Sequence, residues 1–280
     1  MGLSQHPDVS VVILTKNSAR TLERCLESII REKPKEILAV DGSSTDATLT
    51  ILKNHNVRII VEPSGSLGRS RQIGVEAAKG ILVMFVDSDV ELGPNCISIM
   101  RRELLEHEWA GIHARLLSSE NVSYWQRAED EKFRREYDHV GMTNKIDTDI
   151  ALFRREVILE HPFDPSFRLS SEDADICRRL VAANYRLGVC SAIAYHHHRR
   201  EFSTFVQQRY RYGLGRAWLG FKYGDTRTLV TPLLTAISQT IRAVRSGKLW
   251  LVPYWVVGGV IEFCAVVIGT STRSHQGKKA

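Results

Sequence analysis

Over residues 9–86 short apolar runs alternate with amphipathic stretches. The runs 9–14, 36–40, 57–61 and 81–86 are nearly continuous in Val, Ile, Leu and Phe, the pattern of strands buried on both faces. Between them, 21–30, 45–54 and 68–79 place apolar residues at helical spacing. Strict strand–helix alternation requires right-handed crossovers, so it predicts an α/β fold with a mainly parallel sheet flanked by helices. The strand-to-helix turns then gather at one sheet edge, where open α/β sheets take their ligands. Those turns are Thr15-Lys16-Asn17-Ser18, Asp41-Gly42-Ser43-Ser44 and Asp87-Ser88-Asp89.

The pattern loosens over 109–153, where a charged, aromatic helix is predicted at 124–137. Order returns with a strand at 149–153, a helix opened by Ser170-Ser171-Glu172-Asp173-Ala174-Asp175 and reaching 183, and a strand at 187–190. Ser171 is read as the helix cap, with acidic residues filling the first turn. Residues 196–216 are basic and aromatic, 229–244 are amphipathic, and 249–268 are almost wholly apolar. A helix of roughly 20 residues reaches about 30 Å, enough to cross a bilayer. Pro253, Gly258, Gly259 and Glu262 interrupt this stretch and basic residues flank both ends, so a span, a re-entrant helix and an in-plane helix all stay open. Trp250, Tyr254 and Trp255 read as interfacial anchors. The expected division is a catalytic domain over 1–216, with halves 1–100 and 101–216, followed by membrane-associated helices over 217–280.

Composition narrows the setting. The 280 residues can build a core without staples, and the five scattered cysteines read as reduced thiols, most of them core filler. Lys plus Arg is 38 against 32 Asp plus Glu, a net charge of +6 that fits phosphorylated substrates, an anionic membrane or nucleic acid. The amino terminus has no basic segment leading into an apolar run, so no secretory leader is expected and Asn121-Val122-Ser123 is read as a chance sequon. The expected location is the cytoplasmic face of the cell membrane.

Candidate chemistry begins at Asp87 and Asp89. Two carboxylates one residue apart at a strand end repel, and a hard cation such as Mg²⁺ or Mn²⁺, shared with substrate phosphates, relieves the repulsion. A plain turn or helix cap is the competing reading.

The motifs Val11-Val12-Ile13-Leu14-Thr15-Lys16-Asn17, Val40-Asp41-Gly42-Ser43-Ser44-Thr45-Asp46, Ser70-Arg71-Gln72-Ile73-Gly74 and Phe85-Val86-Asp87-Ser88-Asp89 resemble, in order, those of family 2 glycosyltransferases, inverting enzymes of the GT-A fold. Pro162-Phe163-Asp164 and Ser171-Glu172-Asp173-Ala174-Asp175 resemble that family's later elements. The resemblance covers about 9–215 and implies a nucleotide-sugar donor, UDP-linked ahead of GDP-linked. It places Thr15, Asn17, Asp41 and Ser43 on the nucleoside, Arg71 on nucleoside or diphosphate, and Asp87, Ser88 and Asp89 at the metal and diphosphate. It implies Asp173 as general base with Glu172 orienting the site, and His196 or His198 as a further metal ligand. Asp46 in this motif reads equally well as a helix cap. Gln208-Arg209-Tyr210-Arg211-Tyr212 resembles the Gln-x-x-Arg-Trp element of processive synthases with Tyr for Trp, so Gln208, Arg211 and Tyr212 become candidates for acceptor or diphosphate contact. With one strongly apolar segment in place of several, a single transfer per encounter is expected.

An intact Glu-Asp pair favours a hydroxyl acceptor on a lipid-linked glycan or lipid, because a polyprenyl phosphate is already ionised and needs no base. The alternative from another class is a non-catalytic protein gripping nucleic acid or a membrane surface through its basic, aromatic segment. That reading leaves Asp87, Asp89 and Asp173 without a task, and no nucleic acid is expected. A nucleotidyltransferase would need a Gly-rich loop after the first strand, and a dinucleotide oxidoreductase a third glycine after Gly213-Leu214-Gly215.

Overall fold

The computed structural model describes residues 6–119, 122–137, 139–197 and 201–276, and the chain divides into two compact units. The first holds residues up to 120, Asp130–Ser166 and Glu172–His198. Its elements run β1 (His6–Thr15), α1 (Ala19–Arg31), β2 (Pro34–Asp41), α2 (Thr48–Asn54), β3 (Arg58–Val61), α3 (Leu67–Ala77), β4 (Leu82–Asp87), β5 (Val90–Leu92), α4 (Cys96–Glu106) and β6 (Gly111–Ser118). After α5 (Tyr124–Tyr137), whose first turns count with the second unit, come β7 (Gly141–Thr143), β8 (Ile150–Arg154), α6 (Arg155–Glu160), α7 (Glu172–Ala182) and β9 (Leu187–His196).

Among the described residues nine strands form one mixed sheet in the order β3-β2-β1-β4-β8-β6-β9-β5, with β7 paired to β9. The parallel order expected from the alternating pattern holds across β3-β2-β1-β4. Beyond β4 the sheet changes direction, since β8 runs antiparallel to both β4 and β6. Strands β5 and β6 and helix α4 lie between the acidic turn and α5, where the sequence carries no strong periodic signal, and they are additions to the predicted layout.

Alternation along the central strands sorts the core into two layers. Val11, Ile13, Met84 and Val86 face Leu22, Leu26 and Ile29 of α1 and Met100 of α4. Val12, Val83 and Phe85 face Val75 of α3 and Ile176 and Leu180 of α7. Strands buried on both faces leave their polar ends as the open part of the sheet edge, and β1, β2 and β4 end side by side with Thr15 opposite Asp41 and Leu14 opposite Asp87.

The second unit, residues 121–129, Phe167–Ser171 and 199 onward, is helical. It contains α8 (Phe202–Tyr223), a 3-10 turn at Thr226–Leu229, α9 (Thr231–Arg245), a second 3-10 turn at Leu249–Leu251 and α10 (Val252–Gln276). Gly224, at φ 61, ends α8 in the left-handed conformation that glycine takes at no steric cost. The predicted apolar helix therefore begins with a 3-10 turn, and Pro253 falls in the first turn of α10, where its missing N–H loses no helical bond.

Glu262, an apparent flaw in the apolar stretch, is buried and accepts from Arg209 Nη1 at 3.0 Å. Arg209 Nη2 also donates to Glu129 Oε2 at 2.7 Å and bonds the Tyr254 hydroxyl. Tyr254 is thus fully buried and is no interfacial anchor, whereas Trp250 is exposed as expected. Among the described residues one helix, 249–271, is long and apolar enough to cross a membrane.

Ser171 is also corrected. Its φ of 71 puts its backbone in the left-handed region, whereas a capping serine is extended. The five cysteines are free thiols, four buried and Cys264 exposed.

Gly80 precedes β4 where a Cβ would lie 2.6 Å from the Asp8 carbonyl, 2.7 Å from Ser10 N and 2.9 Å from the Leu82 carbonyl. These are backbone atoms of paired strands and cannot yield. Gly80→Ala is expected to destabilise the chain by about 1–3 kcal/mol, read as a lower urea midpoint with the slope unchanged.

Candidate active site

The edge turns are fixed to one another before any substrate arrives. Asp41, fully buried at the end of β2, accepts from Thr15 Oγ1 at 2.8 Å, from Ser44 N at 2.8 Å and from Ser44 Oγ at 2.6 Å. Asn17 takes φ 50 and accepts from Thr45 N at 2.8 Å, while its own N–H donates to Ser44 Oγ at 2.9 Å. Ser43 takes φ 62 and is exposed on the turn. Asp46 accepts from Ala19 N at 3.1 Å and from Thr48 N at 3.0 Å, so one carboxylate serves the opening turns of α1 and α2. Ser88 Oγ donates to Ser18 Oγ at 2.8 Å and ties the third turn to the first.

Arg71, on α3, is buried. Its Nε donates to Glu172 Oε1 at 3.0 Å, Nη1 to the Thr148 carbonyl at 3.2 Å and Nη2 to Asp87 Oδ1 at 3.4 Å, with its guanidinium 5.3 Å from the Phe85 ring centre. Its forked donors are engaged by the protein, which makes it a strut between Asp87 and Glu172. That joins two sequence segments the motifs alone keep about a hundred residues apart.

Around Asp87 the charge is dense. Burial pushes its carboxyl up to about 7 against the pull of Arg71, and Asp89 and Asp149 push the same way. His196 Nε2 stands 3.4 Å from Asp89 Oδ1 because β5 pairs antiparallel with β9, setting Val90 opposite His196. Burial lowers the affinity of this imidazole for a proton, but Asp89, Asp149 and Asp87 together raise it. His198 lies outside the described residues. Among the described residues no three such side chains are gathered as a complete metal set. Two edge carboxylates with an imidazole beside them nevertheless have the donor chemistry that suits Mn²⁺ or Mg²⁺ with ligand phosphates completing the shell.

Asp173 opens α7 next to Glu172. Burial raises its carboxyl well above the ordinary range, Asp147 and Glu172 add to this, and Lys145 and the Ala174 N–H oppose it. The α7 face that carries Asp173 also carries Cys177 one turn on, and Cys177 Sγ sits 3.3 Å from the Ile146 carbonyl. Residues 145–149 therefore lie against that face. Lys145 Nζ pairs with Asp147 Oδ1 at 3.2 Å and with Glu136 Oε1 at 2.8 Å, and the Tyr137 hydroxyl accepts from Asp147 N at 3.2 Å.

Asp147, Asp149, His113 and Lys145 were not anticipated. Asp149 accepts from His113 Nε2 at 2.7 Å, its carbonyl accepts from Asp87 N at 2.8 Å, and His113 stacks on Tyr137 with ring centres 3.9 Å apart. Asp147-Thr148-Asp149 repeats the acid-x-acid pattern, but it precedes its strand. A search for carboxylates after strands passes over it, because only the antiparallel direction of β8 brings a strand's leading residues to this edge.

Gln208, Arg211 and Tyr212 belong to the second unit. Gln208 Nε2 donates to the Tyr212 hydroxyl at 2.9 Å, and Arg211 Nη2 to the Leu169 carbonyl at 3.3 Å. Arg209, next to Gln208, is the buried ion-pair hub.

The sequence pattern of "Glycosyl transferase family 2" matches residues 10–161, more than half of the chain. The chain belongs to this family. Glycosyltransferase AglE of Haloferax volcanii is 26% identical over 230 residues, which are 75% of this chain and 73% of that one. The poly(ribitol-phosphate) beta-glucosyltransferase of Bacillus spizizenii is 37% identical over 100 residues, 32% of this chain and only 16% of that protein, so the chain spans a small part of that relative's length. Among solved structures, S. aureus TarS 1–349 in complex with UDP-GlcNAc shares the fold at TM-score 0.55 and 17% identity, over 95% of this chain and 92% of that one. GalNAc-T7 with UDP, GalNAc and Mn²⁺ does so at 0.55 and 16%, over 72% of this chain and 47% of that one.

Removing the Arg71 charge strands the buried Glu172 carboxylate. Arg71→Met is expected to cost about 3–5 kcal/mol, and adding Glu172→Gln to recover a large part of it. Urea unfolding of the two single variants and the double variant closes the cycle.

Proposed function

We propose that this family 2 glycosyltransferase, which acts on nucleotide sugars, moves a sugar from a UDP-linked donor, with inversion, to a hydroxyl of a membrane-linked glycan or lipid. The observation that carries the reading is the convergence on one sheet edge of Asp87 and Asp89 with Arg71, which is bonded in turn to Glu172 beside Asp173. Support for a UDP donor and a metal comes from the fold shared with a TarS complex holding UDP-GlcNAc and a GalNAc-T7 complex holding UDP and Mn²⁺.

In this reading the turns at Asn17 and Ser43 cradle the nucleoside, with Thr15 and Asp41 holding them in shape. Asp87 and Asp89, with His196 at the second carboxylate, would hold a divalent cation. Bound there, such a cation neutralises charge on the departing diphosphate. Arg71 keeps Asp87 in place and fixes Glu172, so that the first turn of α7 is rigid where Asp173 must act. Asp173 takes the proton of the acceptor hydroxyl as that oxygen displaces the diphosphate from the anomeric carbon. The bond to the sugar forms on the face opposite the one that breaks, which inverts its configuration. Gln208, Arg211 and Tyr212 are proposed contacts to acceptor or diphosphate. The apolar helix at 249–271 would keep the enzyme at the cytoplasmic face, near a lipid-linked acceptor.

The test is UDP release by the purified full chain in detergent with Mn²⁺, across a panel of UDP-sugars and lipid-linked saccharides. Asp173→Asn is expected to lower kcat by about 10²–10⁴-fold with donor affinity kept. An unchanged kcat would point to an acceptor already ionised, such as a polyprenyl phosphate. Asp89→Ala is expected to weaken UDP binding in Mn²⁺ and to leave little difference in EDTA. If it binds UDP as well as the wild type in both, the metal assignment is wrong.

The base also predicts the pH profile. Asp173 must be ionised to act, and its pKa lies above the ordinary carboxylate range, so kcat falls as pH drops through that raised value. The charges around it are Asp147, Glu172, Lys145 and Arg71. Removing an acid eases ionisation, so Asp147→Asn shifts the acid limb to lower pH. Lys145→Met removes a favourable cation and shifts it to higher pH.

A further inference from the structure

One helix of the second unit, α9, is packed inside out. Helix α9 buries Pro232, Ala236 and Ala243 and turns its large aliphatics outward, with Val230 before it and then Leu234, Ile237, Ile241 and Val244 at 47–59% exposure. Their spacing of four, three, four and three residues draws one continuous stripe along the helix. A water-facing helix does the reverse, burying its large residues and exposing small and polar ones. The buried side is a small-residue contact, since a Cβ on Gly259 of α10 would meet Ala236 Cβ at 2.4 Å. Small residues between helices and large aliphatics outside are how helices pack when lipid is their solvent.

Charge and length narrow what covers the stripe. At 100° per residue, Arg242 and Arg245 fall along one shoulder of it, Arg227 and Lys248 flank its ends, and α9 contains no Asp or Glu. A second copy packed stripe to stripe would bring these cations together. An anionic lipid surface instead complements them. Fifteen residues of helix measure about 22 Å, short of the roughly 30 Å hydrocarbon core, so α9 cannot span it.

We propose that α9 lies in the plane of an anionic membrane, its stripe Val230, Leu234, Ile237, Ile241 and Val244 in the acyl boundary and Arg242 and Arg245 at the lipid headgroups. This rests on the membrane location proposed above, but it assigns the contact to a surface separate from the apolar helix at 249–271. The consequence for the enzyme is orientation. One transverse helix lets the chain rotate about its axis, whereas a second helix flat on the surface fixes how the chain meets a lipid-linked acceptor.

The full chain carrying Cys264→Ser takes single spin labels at Leu234→Cys, Ile237→Cys, Ile241→Cys and, on the polar side, Thr235→Cys. Each is bound to vesicles of phosphatidylglycerol and phosphatidylcholine. The expected result is that the three stripe labels become accessible to oxygen and shielded from a water-soluble nickel complex, while the label at 235 stays open to nickel. The proposal is overturned if the protein floats with the vesicles but all four labels remain open to nickel, or if the stripe labels broaden one another as in a dimer. Failure to float at all would instead remove the underlying membrane reading, and this proposal with it. As a second measurement, Arg242→Gln with Arg245→Gln should lower partition to the anionic vesicles about tenfold or more. It should change nothing on pure phosphatidylcholine. An equal loss on both vesicle types, or none on either, contradicts the headgroup contact.

Discussion

The active edge depends on one buried cation. Arg71 reaches Glu172 at the start of α7, Asp87 at the end of β4 and the carbonyl of Thr148 ahead of β8. A buried guanidinium is tolerable only when its donors are met by charge and carbonyl oxygen. The same condition fixes three segments that share no local structure. Arginine suits the task where lysine would not, since a planar fork holds several acceptors in set directions and an ammonium does not. Arg71 ties Asp87 at the sheet edge to Glu172, the neighbour of Asp173 in the first turn of α7.

Much of this was legible in the sequence because β1 to β4 follow local rules. Apolar runs with intervening helices dictate a parallel sheet, and a parallel sheet puts Thr15, Asp41 and Asp87 on one edge. The second half of the sheet is set by long-range pairing. β8 enters antiparallel, and nothing in its five residues announces that direction. Asp147 and Asp149 were therefore missed, and so was the histidine bonded to Asp149. Arg71 stands out in its motif as a contact to nucleoside or diphosphate, but its burial and its three protein partners do not, because no pattern in one sequence reveals burial of a polar residue on a helix.

The carboxyl-terminal segment teaches a similar lesson. Glu262 and Tyr254 read from sequence as a flaw and an anchor, and both proved to be partners of Arg209. Hydropathy averages over a window and cannot see that a charge is paired within the bundle. Nor can it see that α9 presents its large aliphatics outward, since an amphipathic pattern has the same period whichever face is buried. Only packing tells which side is the solvent side.

Asp87, bonded to Arg71, and Asp89 are proposed as the metal and diphosphate end of the site, with Asp173 at the acceptor end. A crystal structure of the chain with UDP and Mn²⁺ tests this assignment most directly, through the anomalous signal of manganese. The expected result is a peak bonded to Asp89 and to diphosphate oxygen, with Arg71 still on Glu172 and the Asp173 carboxylate unligated. Manganese at another site, or diphosphate seated on an Arg71 that has left Glu172, would contradict it.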